Sequence, residues 1–383
     1  MRLAVVASHP IQYQAPLFRR LAQSIDLTVF FAHRASGKDQ AQAGFGVGFE
    51  WDVDLLSGYD HCFLNNVARM PALDHFGGCN TPEIAERLKG GGFDVLLVMG
   101  WHLRCFWQAI WGAKRLGIPV IVRGDSHLNT PRSLAKRLAK EIVYPFVLRA
   151  FDAALYVGKN SRIYWEHYNY PSERLFFSPN CVDNEWFAAR ATSGAGARLR
   201  AMHCISADAR VLLLACKLVP LKRPLDVVAA GLRLTSRGFP VTILVAGAGP
   251  LADQMTSACS STLPLVHLGF CNQSQMPEVY AAADVMVLAS DSESWGLVAN
   301  EALACGTPIV VSDACGCAPD LADDERVGAT FPVGDVEIMA DVAERRFKRT
   351  LCNDAITAKI KRYSVEAAAD GIVQATMFVT KRS

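Results

Sequence analysis

The fold is decided by the stretch Asp284-Val-Met-Val-Leu-Ala-Ser-Asp-Ser-Glu293-Ser-Trp-Gly296-Leu-Val-Ala-Asn-Glu301. Its first part, as far as Ser290, is apolar on both faces, which is typical of a buried strand in a parallel sheet. From Gly296 the pattern becomes helical and continues to Ala304, after which Cys305-Gly306 ends the helix. The pattern therefore predicts that Glu293 lies in the loop after a strand and that Glu301 lies on the helix that follows.

This placement suggests a ligand. Open α/β sheets bind ligands at the carboxyl ends of their strands. The first amides of a helix, here near Gly296 and Leu297, form a natural phosphate site. An anion held between two carboxylates suggests a sugar nucleotide, with phosphate on the amides and hydroxyls on Glu293 and Glu301.

Composition sets the class of protein. At 383 residues the chain exceeds what one hydrophobic core usually supports, so we expect two domains. The net charge of +2 is too small to indicate a nucleic-acid partner. None of the 12 cysteines forms a C-x-x-C pair, so we expect buried free thiols and no metal site.

The N-terminus is predicted to be a core strand rather than a leader. Its apolar run, within Met1–Pro10, is too short for a signal peptide. No stretch approaches the roughly 20 apolar residues that a spanning helix needs. We therefore expect a cytoplasmic protein.

Strand and helix signals alternate along the whole chain, which predicts parallel doubly wound sheets. The alternating elements fall into two series, and residues 189–197 lie between them. This stretch is rich in small residues, and we interpret it as a flexible linker. We expect two Rossmann-like domains facing one another across a cleft. The predicted strands are 3–7, 27–31, 94–99, 120–123 and 153–157 in the first series and 211–215, 241–246, 266–268, 285–288 and 309–311 in the second. The predicted helices of the first series are 15–21, 82–89, 106–116, 134–148 and 159–166.

Polar residues follow several strands of the first series, where a cleft-facing side chain is expected. For each histidine, a structural role remains about as plausible as a ligand contact. The candidates are His9 and Gln12 after the first strand, His102 after strand 94–99, and Arg123 and His127 at the end of strand 120–123.

Two patterns in the first half resemble known motifs without their context. Gly44, Gly46 and Gly48 alternate, but no strand-turn-helix pattern surrounds them, so they do not predict a dinucleotide site. Asp52-Val-Asp54 is similar to a D-x-D metal clamp of a different fold, and we favour loop structure or acceptor contact instead.

A predicted helix from Ser133 is basic on one stripe, near Lys136–Lys140, and apolar on the other. An ordinary solvated helix is one interpretation. Docking on anionic lipid is the alternative, which would place the protein peripherally on the inner face of the plasma membrane.

Motifs in the second half carry a resemblance to a known family, specific from about Ser178 to Leu321. The motifs are Ser178-Pro-Asn-Cys-Val-Asp183, Cys216-Lys-Leu-Val-Pro-Leu-Lys222-Arg223-Pro, Gly247-Ala-Gly249-Pro250, Leu268-Gly-Phe270 and the Glu-x7-Glu of Glu293 and Glu301. Together they resemble the retaining nucleotide-sugar glycosyltransferases of family 4 (glycosyl transferases group 1), which have the GT-B fold.

The resemblance implies a role for each matching residue. Lys217 and Lys222 would hold the donor diphosphate, and Glu301 would accept hydrogen bonds from the ribose. Glu293 and the amides of Ser294, Gly296 and Leu297 would hold the donor sugar and distal phosphate. Phe270 would lie near the base. It also implies an acceptor-binding domain over 1–185, a donor-binding domain over 186–362 and a helix over 363–383, taken as interrupted at Gly371, that crosses back to the first domain.

The sequence departs from the family at several points. Lys217 replaces an arginine, so a bidentate fork becomes a point charge. Cys216, Arg223 and Cys181 replace glycines, which removes backbone freedom there. The first loop lacks the paired glycines with which many relatives approach the diphosphate, and we expect His9 and Gln12 to occupy that space instead.

The resulting hypothesis is transfer of a sugar from a UDP- or GDP-sugar to an acceptor hydroxyl, with retention at the anomeric carbon and no cofactor or metal. Glu293, Lys222 and His127 are the residues predicted to take part in the chemistry. His127 is preferred over His102 because Arg123 and Asp125 adjoin it in sequence. A saccharide or lipid-linked saccharide in surface polysaccharide or glycoconjugate biosynthesis is the expected acceptor. A nucleotide-sugar epimerase and a non-catalytic nucleotide-sugar-binding protein remain as alternatives.

Overall fold

A computed structural model describes residues 1–37, 48–130 and 133–382. They form two compact units. The first unit contains residues 1–37, 54–130, 133–180 and 365–382, and the second contains residues 48–53 and 181–364.

The first unit is built on a seven-stranded sheet in which every neighbouring pair is parallel, with the order β3-β2-β1-β4-β5-β6-β7. The central strands are apolar on both faces because helices cover both. Val6, Val98 and Trp165 lie in one core on one side of this sheet. The strands are β1 (Arg2–Ala7), β2 (Asp26–Phe31), β3 (Asp60–Phe63), β4 (Val95–Val98), β5 (Val120–Gly124), β6 (Ala153–Tyr156) and β7 (Leu175–Phe177).

The helices of the first unit follow the strands in alternation. They are α1 (Ala15–Ala22), α2 (Ile84–Gly91), α3 (Arg104–Arg115), α4 (Leu134–Val147) and α5 (Lys159–His167).

The second unit repeats this design with a six-stranded parallel sheet of order β10-β9-β8-β11-β12-β13. Leu212, Val245 and Val287 belong to its core. The strands are β8 (Arg210–Ala215), β9 (Val241–Ala246), β10 (Leu265–Gly269), β11 (Val285–Leu288), β12 (Ile309–Ser312) and β13 (Gly328–Phe331). The helices are α6 (Asn184–Arg190), α7 (Ser193–Met202), α8 (Pro224–Ser236), α9 (Ala252–Ala258), α10 (Met276–Ala281), α11 (Leu297–Ala304), α12 (Ala318–Leu321), α13 (Val336–Lys348) and α14 (Asn353–Lys361).

The last helix, α15 (Val365–Thr380), belongs to the first unit, where it packs on α1, β6 and β7. The prediction that Gly371 interrupts it is wrong. A side chain there would lie 1.9 Å from the Phe177 carbonyl oxygen, so the glycine serves close packing within a continuous helix.

All ten predicted strands are confirmed within a residue or two. Three strands were missed, and each lies at the edge of its sheet, where burial does not demand a continuous apolar run. They are β3 with Asp60 and His61, the three-residue β7, and β13, which starts at Gly328.

The interpretation of residues 189–197 as a flexible linker is wrong. They span the end of α6 and the start of α7, whose first turn is capped by the Thr192 hydroxyl accepting from the Ala195 amide at 3.2 Å. Gly196 is buried against the Ala281 carbonyl, so the small residues serve helix packing.

Candidate functional site

The site lies at the point in the second sheet where the order of successive strands reverses, between β8 and β11. Strands β8 and β11 are neighbours, and the order of the sheet runs to β9 on one side and to β12 on the other. The carboxyl ends of two such strands form the usual ligand crevice of a doubly wound sheet. Lys217 follows β8 and Glu293 follows β11, as the sequence predicted.

The loop after β8 is packed tightly on the loop after β9. The Leu218 amide donates to the Ala248 carbonyl at 2.9 Å. A side chain at Gly247 would lie 1.8 Å from the Cys216 carbonyl oxygen, and one at Gly249 would lie 2.6 Å from that of Leu218. The two glycines therefore let these backbones approach and fix the position of Lys217 between them.

The loop that carries Glu293 is held by the segment after β12. The Gly316 amide donates to the Glu293 carbonyl at 2.9 Å, and the Cys317 amide donates to the Trp295 carbonyl at 3.0 Å. A side chain at Gly316 would lie 1.9 Å from the Ser294 carbonyl oxygen. Cys315 and Cys317 are fully buried free thiols, as predicted, but the segment they flank also positions the acidic loop.

The two upstream lysines and the first carboxylate come together. Lys222 forms an ion pair with Glu293, and both side chains are about four-fifths buried, at 17% and 21% exposed. Burial lowers the pKa of Lys217, and the nearby Lys222 lowers it further while Glu293 opposes both effects. The cluster therefore places two cations beside one carboxylate at a strand end.

Helix α11 begins where the sequence predicted. Gly296 stands at its start with φ of 102°, and a side chain there would lie 2.7 Å from a methyl of Leu288. Both the backbone conformation and the space require glycine. The first amides of such a helix have no partner within the helix, so Leu297 and its neighbours can serve an anion.

Glu301 lies one turn further along α11, where it is largely buried. Tyr280 donates a hydrogen bond to its carboxylate at 2.7 Å. Burial raises the pKa of Glu301 to about 7, although the bond from Tyr280 acts in the opposite direction. Tyr280 was not identified from the sequence, because a lone tyrosine on an apolar helix face gives no signal of a polar role.

Phe270, predicted to lie near a base, is covered by another part of the second unit. Its ring centroid is 4.1 Å from that of Phe49. The same segment is tied down where Asn272 donates to the Glu50 carbonyl at 2.7 Å. We name residues 48–53 the covering segment. No pattern in the sequence predicted this contact.

The covering segment and the residue after it contain the Asp52-Val-Asp54 motif. Asp52 accepts hydrogen bonds from Ser274, and Asp54 accepts from the amides of Leu56 and Ser57 at 3.0 and 3.2 Å. Both carboxylates therefore stabilise loop structure, which is one of the two roles that the sequence analysis favoured. Gly44 and Gly46 lie outside the described residues, and only Gly48 of that pattern falls within them.

Arg223, predicted to stand in place of a family glycine, adopts a backbone conformation that favours glycine. Its φ of 49° is left-handed. Its guanidinium pairs with Asp226 at 2.6 Å and with Asp291 at 2.9 Å. Two ion pairs thus hold a conformation that a residue with a side chain rarely adopts.

The candidates in the first unit lie at the ends of β1, β4 and β5, which are neighbours. Burial raises the pKa of Tyr13 to about 12, and the nearby Asp125 adds to the rise, so the first loop lies beside the loop after β5. His9 contacts the Ser8 hydroxyl at 3.0 Å, Gln12 is partly buried, His102 is exposed and His127 is 2% exposed.

Arg123 serves the fold of the first unit in this structure. It donates to the Ser178 hydroxyl at 3.2 Å, the Pro179 carbonyl at 2.7 Å and the Asn180 side chain at 3.1 Å. It thereby anchors residues 178–180, part of the segment that resembles the family's motif between the domains.

Comparison with known proteins identifies the second unit. Residues 198–362 match the family model of the glycosyl transferases group 1. This part of the chain is similar to that family. It contains the cluster from Lys217 to Glu301, so the resemblance to the glycosyl transferases group 1 is confirmed for this segment, whereas family 4 and retention stay predictions.

Curated relatives match part of the chain. A D-inositol 3-phosphate glycosyltransferase of Saccharomonospora viridis is 34% identical over 198 residues, which are 47% of this chain and 45% of the relative. The sulfoquinovosyl transferase SQD2 of Arabidopsis thaliana is 34% identical over 117 residues, 30% of this chain and 22% of that protein. The chain spans less than half the length of either relative.

Solved structures show that the fold extends over the whole chain. A glycosyltransferase from Rickettsia africae matches with a TM-score of 0.74 at 12% identity, covering 100% of this chain and 99% of that one. HepE of Anabaena, in complex with UDP and glucose, matches with a TM-score of 0.68 at 16% identity, covering 98% of both chains. The predicted α/β GT-B fold is confirmed.

Within the described ranges, no helix combines the length and the apolar character needed to cross a membrane.

Proposed function

We propose that the protein is a retaining glycosyltransferase that moves a sugar from a nucleotide diphosphate-sugar to an acceptor hydroxyl. One observation carries the proposal: Lys217, Lys222 and Glu293 lie together at the ends of the neighbouring strands β8 and β11, and α11, which carries Glu301, begins after the same loop. All of them fall within the segment that matches the family model of the glycosyl transferases group 1.

In this proposal the donor lies along the cluster. Lys217 and Lys222 bind the diphosphate, and the amides of Ser294, Gly296 and Leu297 bind the distal phosphate. Glu301 accepts hydrogen bonds from the ribose, and Phe270 lies near the base. UDP is the first nucleotide to test, because the solved HepE structure contains it.

The chemistry follows from this placement. The bond between the anomeric carbon and the phosphate oxygen breaks, and the acceptor hydroxyl attacks from the same face. Its proton passes to the departing phosphate. Lys222 leaves its ion pair with Glu293 to stabilise the charge that builds on the nucleotide, and Glu293 orients the sugar. Two lysines supply the positive charge that a metal ion provides elsewhere, so we expect turnover in the presence of EDTA.

The acceptor is a saccharide or lipid-linked saccharide in surface polysaccharide or glycoconjugate biosynthesis, used on the cytoplasmic side. We assign its recognition to the first unit, through His9, Gln12, His102, Arg123 and His127. His127 is the preferred residue for orienting the acceptor or the donor sugar.

A panel of UDP- and GDP-sugars tests the proposal. Purified protein is incubated with each donor, binding is followed by calorimetry, and released nucleotide and the configuration of the transferred sugar are followed by NMR. The expected result is nucleotide release with retained anomeric configuration. Conversion of the sugar without transfer would indicate an epimerase, and binding without turnover would indicate a non-catalytic protein. Binding of no nucleotide diphosphate would overturn all three.

A further inference from the structure

Helix α4 (Leu134–Val147) turns its apolar side outward. The structure describes no buried residue in this helix. Leu134, Leu138, Ile142 and Phe146 recur every four residues and are 70%, 57%, 70% and 65% exposed. Residues at this spacing share one helix face. A continuous apolar stripe of this kind on a protein surface marks an interaction site more often than an ordinary solvated helix.

Two polar residues of α4, Lys140 and Glu141, contact the body of the first unit. Lys140 donates to the Tyr164 hydroxyl at 3.1 Å and lies 4.1 Å above the ring of Tyr144. Glu141 pairs with His167 at 2.9 Å. The helix is thus oriented by its own polar contacts, and these contacts direct the apolar stripe away from the protein.

The charges that flank the stripe are positive. Lys136 and Arg137 are exposed on the first turn. Arg149, just past the end of the helix, is exposed and lies 5.3 Å above the ring of Phe146. The acid of this helix, Glu141, is already paired. An apolar stripe bordered by cations complements a surface with negative charge above an apolar layer.

We propose that α4 docks in the plane of an anionic lipid bilayer, with Leu134, Leu138, Ile142 and Phe146 among the acyl chains and the cations at the headgroups. A second copy of the chain fits this face poorly, because pairing two such stripes would bring Lys136, Arg137 and Arg149 against one another. The surface lies in the first unit and does not depend on glycosyl transfer.

Vesicle co-sedimentation tests the proposal with the full chain. The probes are phosphatidylcholine vesicles with and without one-third phosphatidylglycerol. The charge variant carries Lys136→Gln and Arg137→Gln, and the stripe variant carries Leu138→Gln and Ile142→Gln. Arg345→Gln and Met202→Gln, on exposed positions of the second unit, are matched controls. Circular dichroism verifies folding, and UDP titration verifies that the nucleotide site is unaffected.

The expected result is binding to anionic vesicles only, weakened by salt. Each removed charge should lower the affinity roughly 5-fold. The stripe variant should lose binding altogether, whereas both controls should bind as the parent does. Absent or equal binding to the two vesicle types would overturn the proposal, as would unchanged binding of the helix variants. So would a dimer, formed without lipid, that Ile142→Gln separates.

Discussion

Tyr280 donates a hydrogen bond to the Glu301 carboxylate at 2.7 Å, and the phenol approaches from α10 while the carboxylate lies on α11. Burial raises the pKa of Glu301 to about 7, and this bond limits the rise. The residue assigned to the ribose therefore changes charge near neutral pH.

Donor affinity should depend on pH through Glu301. Below about pH 7 the carboxyl binds a proton and becomes a weaker acceptor for ribose hydroxyls, so the donor KM should rise as the pH falls. Donor KM measured between about pH 5.5 and 8.5 shows this, and Glu301→Gln should flatten the profile.

The Tyr280→Phe variant gives the matched control for this profile. Without the phenol the carboxylate loses a donor, so the pKa of Glu301 should rise further and the midpoint should move to higher pH. A midpoint that stays in place, or moves to lower pH, would show that the profile arises elsewhere.

Gly316→Ala should impair turnover through the position of Glu293. The new side chain would meet the Ser294 carbonyl at 1.9 Å, so the loop must move. A displacement near 1 Å can cost about a hundredfold in rate, and we expect a loss of that order in kcat/KM. Gly90→Ala is the control, because no atom lies within 4 Å of that site. Full activity in Gly316→Ala would mean that the loop tolerates the shift.

Arg223 permits a test of backbone strain. Both Arg223→Gly and Arg223→Ala remove the ion pairs with Asp226 and Asp291, but only alanine retains a side chain at φ of 49°. The glycine variant should therefore be more stable by about 1 kcal/mol. Urea denaturation measures the difference. Equal stability of the two variants would contradict the assigned strain.

Phe49→Ala tests whether the covering segment competes with the base. Phe49 stacks 4.1 Å from Phe270, which leaves no room for a base on that face of the ring. Its removal should tighten nucleotide binding severalfold in calorimetry, while Leu232→Ala, at an exposed position of α8, should have no effect. Weaker binding in Phe49→Ala would show that Phe49 is itself part of the base pocket.

The sheets could be predicted because their inner strands are buried on both faces. Val285–Leu288 and Val241–Ala246 were located to the residue, since nothing but a central parallel strand needs such a run. Edge strands such as β3 do not need a continuous apolar run, so the pattern does not reveal them. The small residues near Ala195 indicate flexibility or close packing equally well, and only the neighbouring Ala281 decides for packing.

The positions of Lys222, Glu293 and Gly296 could also be predicted, because these residues stand at strand and helix ends that the pattern locates. The residues that hold them in place could not be predicted. Gly316 and Tyr280 act through backbone and side-chain contacts with segments 21 to 23 positions away, and no local pattern encodes such pairing. The left-handed backbone of Arg223 could not be predicted either, because arginine rarely adopts a positive φ.

Steady-state kinetics of Glu301→Ala and Lys222→Ala with the preferred nucleotide-sugar test the central claim most directly. We predict that Glu301→Ala mainly raises the donor KM, because it removes a ground-state contact to the ribose. Lys222→Ala should mainly lower kcat, because its charge matters most as the nucleotide departs. Unchanged kcat and KM in both variants would contradict the assigned donor site.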